Sequence, residues 1–149
     1  MKILAVDLGE ARTGLAVCDP GEMLASPAGM IAEKDEDRLL ARIAEEAVRQ
    51  RAELVVVGHP VNMDGSRGER AQKCARLAGL LGEQTGLPVE LWDERCTTMS
   101  AIGYLNATDT RGKKRKEAVD QLAAAIILES YLDYRKAQRR RESLEGGTD

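Results

Sequence analysis

The chain has 149 residues and a formal net charge of −3, long enough for one domain that buries ~68–70% of its unfolded surface and forms its own core. No apolar run nears the roughly 20 residues a membrane helix needs, so no spanning segment is encoded and no membrane partner is expected. The slight negative charge also excludes indiscriminate coating of nucleic acid, which rests on clustered Lys and Arg; any contact with a polyanion must be local.

The opening, Met1 to Asp7, reaches a carboxylate too soon for the apolar stretch of a secretory signal, and a cytoplasmic location is expected. Cys18, Cys74 and Cys96 show no C-x-x-C spacing, which suggests core positions in a reducing compartment rather than disulfides or a thiolate zinc site. Lys2 to Asp7, Arg12 to Cys18 and Leu24 to Ile31 are rich in strand formers and separated by turn residues, so they read as a three-stranded meander. From Asp35 to Gln50, Leu39, Leu40, Ile43, Ala44, Ala47 and Val48 recur at helical spacing. Leu54 to Val57 is a short apolar run before Gly58 and Pro60, the pattern of a strand covered on both faces. His59, the single histidine, is read as a loop residue lining the cleft at most.

Glu69 to Gln84 reads as a helix, and Val89 to Trp92 as a strand closing on Asp93-Glu94-Arg95. Thr97 or Thr98 is placed to cap a helix running to about Asn106. Thr108 to Lys116 lacks any apolar residue and reads as a mobile loop leading into a long helix over Ala118 to Tyr134. The expected order is βββ-α-β-α-β-α-α, giving an α/β fold with a five-stranded mixed sheet and helices on both faces. One domain over 1–138 and a charged, disordered tail over 139–149 complete the expectation.

Asp120 carries the strongest chemical signal. In a helix it shares a face with Ala123, Ala124 and Ile127, the side that is buried, where an unpaired carboxylate is unfavourable. Asp7 ends the first strand before Gly9, and Asp93-Glu94 end the last one, where alternation lets only one of the two face a given site. Acids from three separate elements, with no His or Cys beside them, suit a hard cation such as Mg²⁺ or Mn²⁺. Paired ions of that kind serve in-line phosphodiester hydrolysis. Arg111, Lys113, Lys114, Arg115 and Lys116 lie just before Asp120 and read as a phosphate grip. Aromatics are 3% with no Phe, so a stacking platform for single strands is not encoded.

Together these stretches resemble the YqgF/RuvX family, assigned to pre-16S rRNA processing and once proposed to resolve Holliday junctions. The resemblance spans roughly Lys2 to Leu132. It rests on Ala5 to Gly9 with Arg12 and Gly14, Val57 to Gly65, Asp93-Glu94-Arg95 with Thr97 and Thr98, and Lys116 to Ala124 running into Ile127-Leu128. It implies a ribonuclease H-like fold and Mg²⁺- or Mn²⁺-dependent hydrolysis. Asp7, Glu94 and Asp120 would hold the metal, with Asp93 as the alternative to Glu94. Arg12, Asn62, Arg95 and Thr98 would line the cleft. Structured rRNA precursor is the implied partner and four-way DNA the alternative, with the chain a monomer or weak homodimer. His59, Cys74 and Cys96 depart from the residues more usual in the family. The rivals are an actin-like or sugar-kinase-like ATPase, which needs two such domains, and a non-catalytic RNA-binding assembly factor.

Overall fold

The computed structural model describes residues 1–62, 64–96 and 113–146, and within the last helix the side chains of 122–144. Its sheet has the order β3-β2-β1-β4-β5. β1 (Ile3–Leu8), β2 (Thr13–Cys18) and β3 (Ala25–Ile31) form the antiparallel meander, whereas β4 (Leu54–His59) pairs parallel with β1, and β5 (Val89–Asp93) pairs parallel with β4. β1 and β4 are apolar on consecutive residues because both faces of the sheet centre are covered.

One face carries Leu4, Val6, Leu8, Val55 and Val57 against α1 (Glu36–Arg49) and α2 (Glu69–Thr85). The Asp35 side chain accepts from the Arg38 backbone N–H and starts α1, as expected of an acidic N-cap. Gly86 stops α2 in the left-handed conformation, φ 71°, where its lack of a Cβ removes the strain.

The opposite face packs Ile3, Ala5, Ala16, Leu54 and Val56 against α3 (Lys113–Gly146), through Ala124, Ala125, Ile127, Leu128, Tyr131 and Leu132. α3 differs from expectation at both ends. The basic stretch from Lys113 is helical rather than a loop, because it lacks apolar residues but consists of strong helix formers. The segment after Arg139 continues as helix to Gly146 instead of fraying. Its anchor is Glu22, buried in the turn before β3, whose carboxylate accepts from Arg135 and Arg139 of α3. The expected helix from Thr97 or Thr98 to Asn106 lies outside the described residues. No helix among the described residues is long and apolar enough to cross a membrane. Cys18 and Cys74 are core residues as expected, but Cys96 is exposed, because it sits in the turn after β5 rather than under a helix.

Two outcomes are expected. Leu128 is fully buried between α3 and the sheet, and Leu128→Ala should lower the urea-unfolding free energy by about 2–5 kcal/mol. Burial opposes the charge on Glu22, but Arg135 and the Met1 amino group outweigh it and hold the carboxyl below its ordinary value. The stability this provides is therefore present above the ordinary carboxylate pKa and is lost as pH falls through the depressed one. Thermal melts from pH 6 downward should show a steeper acid loss in wild type than in Glu22→Gln.

Candidate active site at the carboxyl edge of the sheet

Parallel pairing brings the carboxyl ends of β1, β4 and β5 to one edge, with Val6 opposite Val57 and His59 opposite Asp93. Ile3 and Ala5 face α3 whereas Leu4, Val6 and Leu8 face α1 and α2, so alternation directs Asp7 to the α3 side. The β1–β2 turn is tight. Gly9 N–H donates to Arg12 O at 3.0 Å, and a Cβ on Gly9 would stand 2.3 Å from that oxygen.

Glu94 opens a 3-10 turn (Glu94–Cys96) directly after β5. Its carboxyl group lies within reach of that of Asp7. It lies over the bare backbone of Gly58 on β4, where a Cβ would stand 2.8 Å from Glu94 Oε1 and 2.7 Å from Ile127 Cδ1 of α3. A side chain at 58 would force the Glu94 carboxylate and the Ile127 tip to shift. Burial raises the Glu94 pKa above its ordinary value, the Asp7 charge raises it further, and the Arg70 guanidinium offsets part of the rise. Two carboxyl groups this close share a proton unless a cation replaces it.

Asp93 faces the other way. Val89 packs on the α1–α2 side and Trp92 on the α3 side, which puts Asp93 with Val89. Arg95 grips it through Nε at 2.9 Å and Nη2 at 2.6 Å, and this ion pair holds the Asp93 carboxyl below its usual range. Of the two neighbouring acids, Glu94 meets Asp7 and Asp93 is engaged by Arg95. Arg95 also approaches the loop after β4, its Nη1 lying 3.9 Å from where a Gly65 Cβ would stand. Asn62 lies in the same loop, with its Nδ2 donating to Ser66 Oγ at 3.0 Å. Arg12, half-buried, follows the Gly9 turn.

The turn bearing Glu94 is held on α3 by aromatic packing. Trp92 meets Tyr131 edge to face at 5.4 Å and Tyr134 at 5.2 Å. Ser130 Oγ accepts from Trp92 Nε1 and donates to Cys96 O. Among the described residues the aromatics, Trp92, Tyr131 and Tyr134, all meet here.

Asp120 lies in α3, one turn ahead of Ala124 and about two ahead of Ile127 in the chain. The side chains of Asp120, Lys113, Lys114, Arg115 and Lys116, and residues Thr98 and Arg111 altogether, lie outside the described residues. Among the described residues no three His, Cys, Asp or Glu side chains cluster to hold a metal. The donors described do fit a hard divalent ion, being carboxylate oxygens of a half-buried like-charged pair. His59 requires correction. It ends β4 rather than sitting in a loop, it is 5% exposed, and its Nε2 has no hydrogen-bond partner. The Gly-His-Pro context suggested a turn, but strand pairing extends one residue past Gly58. Arg70, which acts on Glu94, escaped the sequence reading; the available signal was a cation in the first turn of α2, where the helix dipole disfavours it.

The five-stranded mixed sheet with helices on both faces and acids at its carboxyl edge is the ribonuclease H-like fold. Thermus thermophilus RuvC, solved in complex with a Holliday junction substrate, superposes with a TM-score of 0.62 at 17% identity, covering 92% of this chain and 96% of that one. The fowlpox virus Holliday junction resolvase gives 0.52 at 12% identity over 90% and 99%. Within that fold the chain belongs to the RuvX family, whose model, described as Holliday junction resolvase, matches residues 1–134. A relative from Geobacillus thermodenitrificans is 42% identical over 91% of this chain and all of its own length, and one from Lachnospira eligens is 40% identical over 89% and 97%. Both carry the name "Putative pre-16S rRNA nuclease".

Because the Glu94 pKa is raised on folding, the pair favours the fold at low pH and this contribution is lost as pH rises through the raised value. Metal-free Glu94→Gln should therefore melt at a higher temperature than wild type at pH 7, and carboxyl NMR should show Glu94 titrating lower in Asp7→Asn. An unchanged Glu94 titration in Asp7→Asn would disprove the coupling.

Proposed function

We propose that this chain is a divalent-metal-dependent endonuclease that hydrolyses phosphodiester bonds in 5′-end processing of pre-16S rRNA in the cytoplasm. The observation that carries the reading is the contact of the Asp7 and Glu94 carboxyl groups at the carboxyl edge of β1, β4 and β5. A purely structural role does not account for two half-buried acids facing one another, whereas a cation between them does. Asp7, Glu94 and Asp120 would hold Mg²⁺ or Mn²⁺, with Asp120 supplied by α3, the helix that also packs Ile127 beside Gly58. The bound ion would supply activation of water and stabilisation of charge on the leaving oxygen.

The chain's own residues bind and orient. Arg95 and Asn62 on one rim, Arg12 on another, and the basic start of α3 with Arg111 and Thr98 supply donors for phosphates flanking the cut. Asp93, by orienting Arg95, acts on that rim. Names carried by relatives covered over nearly their whole length support the ribosomal substrate. The family description supports a second reading, resolution of four-way DNA by a dimer; for rRNA processing a monomer or weak homodimer suffices.

Purified chain assayed with Mg²⁺ or Mn²⁺ on pre-16S rRNA, single-stranded RNA and four-way DNA should cut the precursor. Asp7→Asn, Glu94→Gln and Asp120→Asn should each lower the rate by at least ~10³-fold while remaining folded. Preferential cutting of the four-way DNA would favour the second reading. Wild-type rates in Asp7→Asn would end the nuclease assignment.

A further inference from the structure

The acidic pair depends on where the end of β1 sits, and the sheet by itself leaves that end partly unsupported. Lys2 O accepts from Glu53 N on the β4 side, and the two-residue period of a strand places the carbonyls of Leu4, Val6 and Leu8 on that side as well. The parallel pairing of β1 with β4 ends at Val6 and Val57. Leu8 O, directly after Asp7, therefore lies beyond the ladder. It accepts instead from Arg70 Nη2 of α2 at 3.3 Å.

Arg70 stands in the first turn of α2, opposite in sign to the charge a helix N-terminus favours. A residue kept against its local preference points to a role in the site. Its guanidinium bonds the backbone of Leu8, the residue after Asp7, and its charge acts on Glu94, so one side chain bears on both strand ends that carry the pair. Arg70 also borders an open cleft of about 370 Å³ lined by Leu8, Gly9, Lys73 and Cys74, so a shorter side chain at 70 requires no repacking of the core.

The geometry points to Arg70 as a positioning residue: by holding Leu8 O on the side where pairing with β4 has stopped, while β2 still pairs on the other, it fixes the Asp7–Gly9 segment so that Asp7 stays against Glu94. Its catalytic consequence rests on the nuclease reading above; its structural consequence does not. Arg70 touches the backbone rather than substrate, so its loss should lower turnover and leave RNA binding in place.

Arg70→Met removes the donor and the charge, Arg70→Gln leaves a donor too short to reach Leu8 O, and Arg70→Lys keeps both charge and reach. Amide hydrogen exchange of the metal-free protein, read at Gly9 to Arg12, should accelerate about tenfold or more in Arg70→Met and Arg70→Gln, with the β1 and β4 core amides unchanged. On pre-16S rRNA, kcat should fall about 10–100-fold with KM within about threefold, and Arg70→Lys should recover most of the loss. If Arg70→Met does not fold, Arg70→Gln carries the same comparison. Unchanged exchange at Gly9 to Arg12, or a loss expressed in KM with kcat retained, overturns the assignment. If wild type cuts no substrate under any metal, the nuclease reading falls, and the exchange measurement still decides Arg70.

Discussion

The site depends on one unfavourable approach, the partly buried carboxyl groups of Asp7 and Glu94 brought within reach of each other. Everything around them holds two like-charged groups closer than they would stand in water. The parallel arrangement of β1, β4 and β5 delivers both to one edge of the sheet, the place where open α/β sheets bind ligands. Gly58 removes the side chain that would otherwise crowd Glu94 and Ile127.

The two faces of the sheet divide the work. α1 and α2 close the face opposite the acids and bring up Arg70, which balances part of the charge from behind. α3 covers the other face, where its apolar stripe reaches Ile127 beside Glu94 and its aromatic residues clamp the turn after β5. Glu90 strengthens that clamp by accepting from the Tyr131 phenol, whose pKa burial and this carboxylate push up to about 12, so that it remains a donor. The far half of α3 is held by ions rather than by apolar contact, through Arg135 and Arg139 on Glu22. Core packing and buried charge thus hold successive stretches of one helix in place.

Much of this was readable in the residues. Period-two and period-3.6 patterns placed the five strands, α1, α2 and the apolar part of α3, because those patterns are set by near neighbours in the chain. Asp7 was readable from its position before a glycine turn, and strand alternation already required that Asp93 and Glu94 face apart. The ends of α3 depart from the expectation because charged stretches without an apolar stripe still form helix, Lys, Arg, Glu and Gln propagating it well. His59 was misplaced because Gly and Pro on either side outweighed the strand pattern that runs through it.

By itself the sequence determined the order of the elements, the faces they bury and a short set of candidate acids, since each follows from local spacing and residue chemistry. Only the tertiary structure decided that Glu94 meets Asp7 while Arg95 holds Asp93, that Gly58 makes room for the pair, and that Arg70 and Glu22 are tied to strands and helices far away in the chain. These are contacts across the sheet between segments distant in sequence, and no local pattern of residues specifies which side chains meet there.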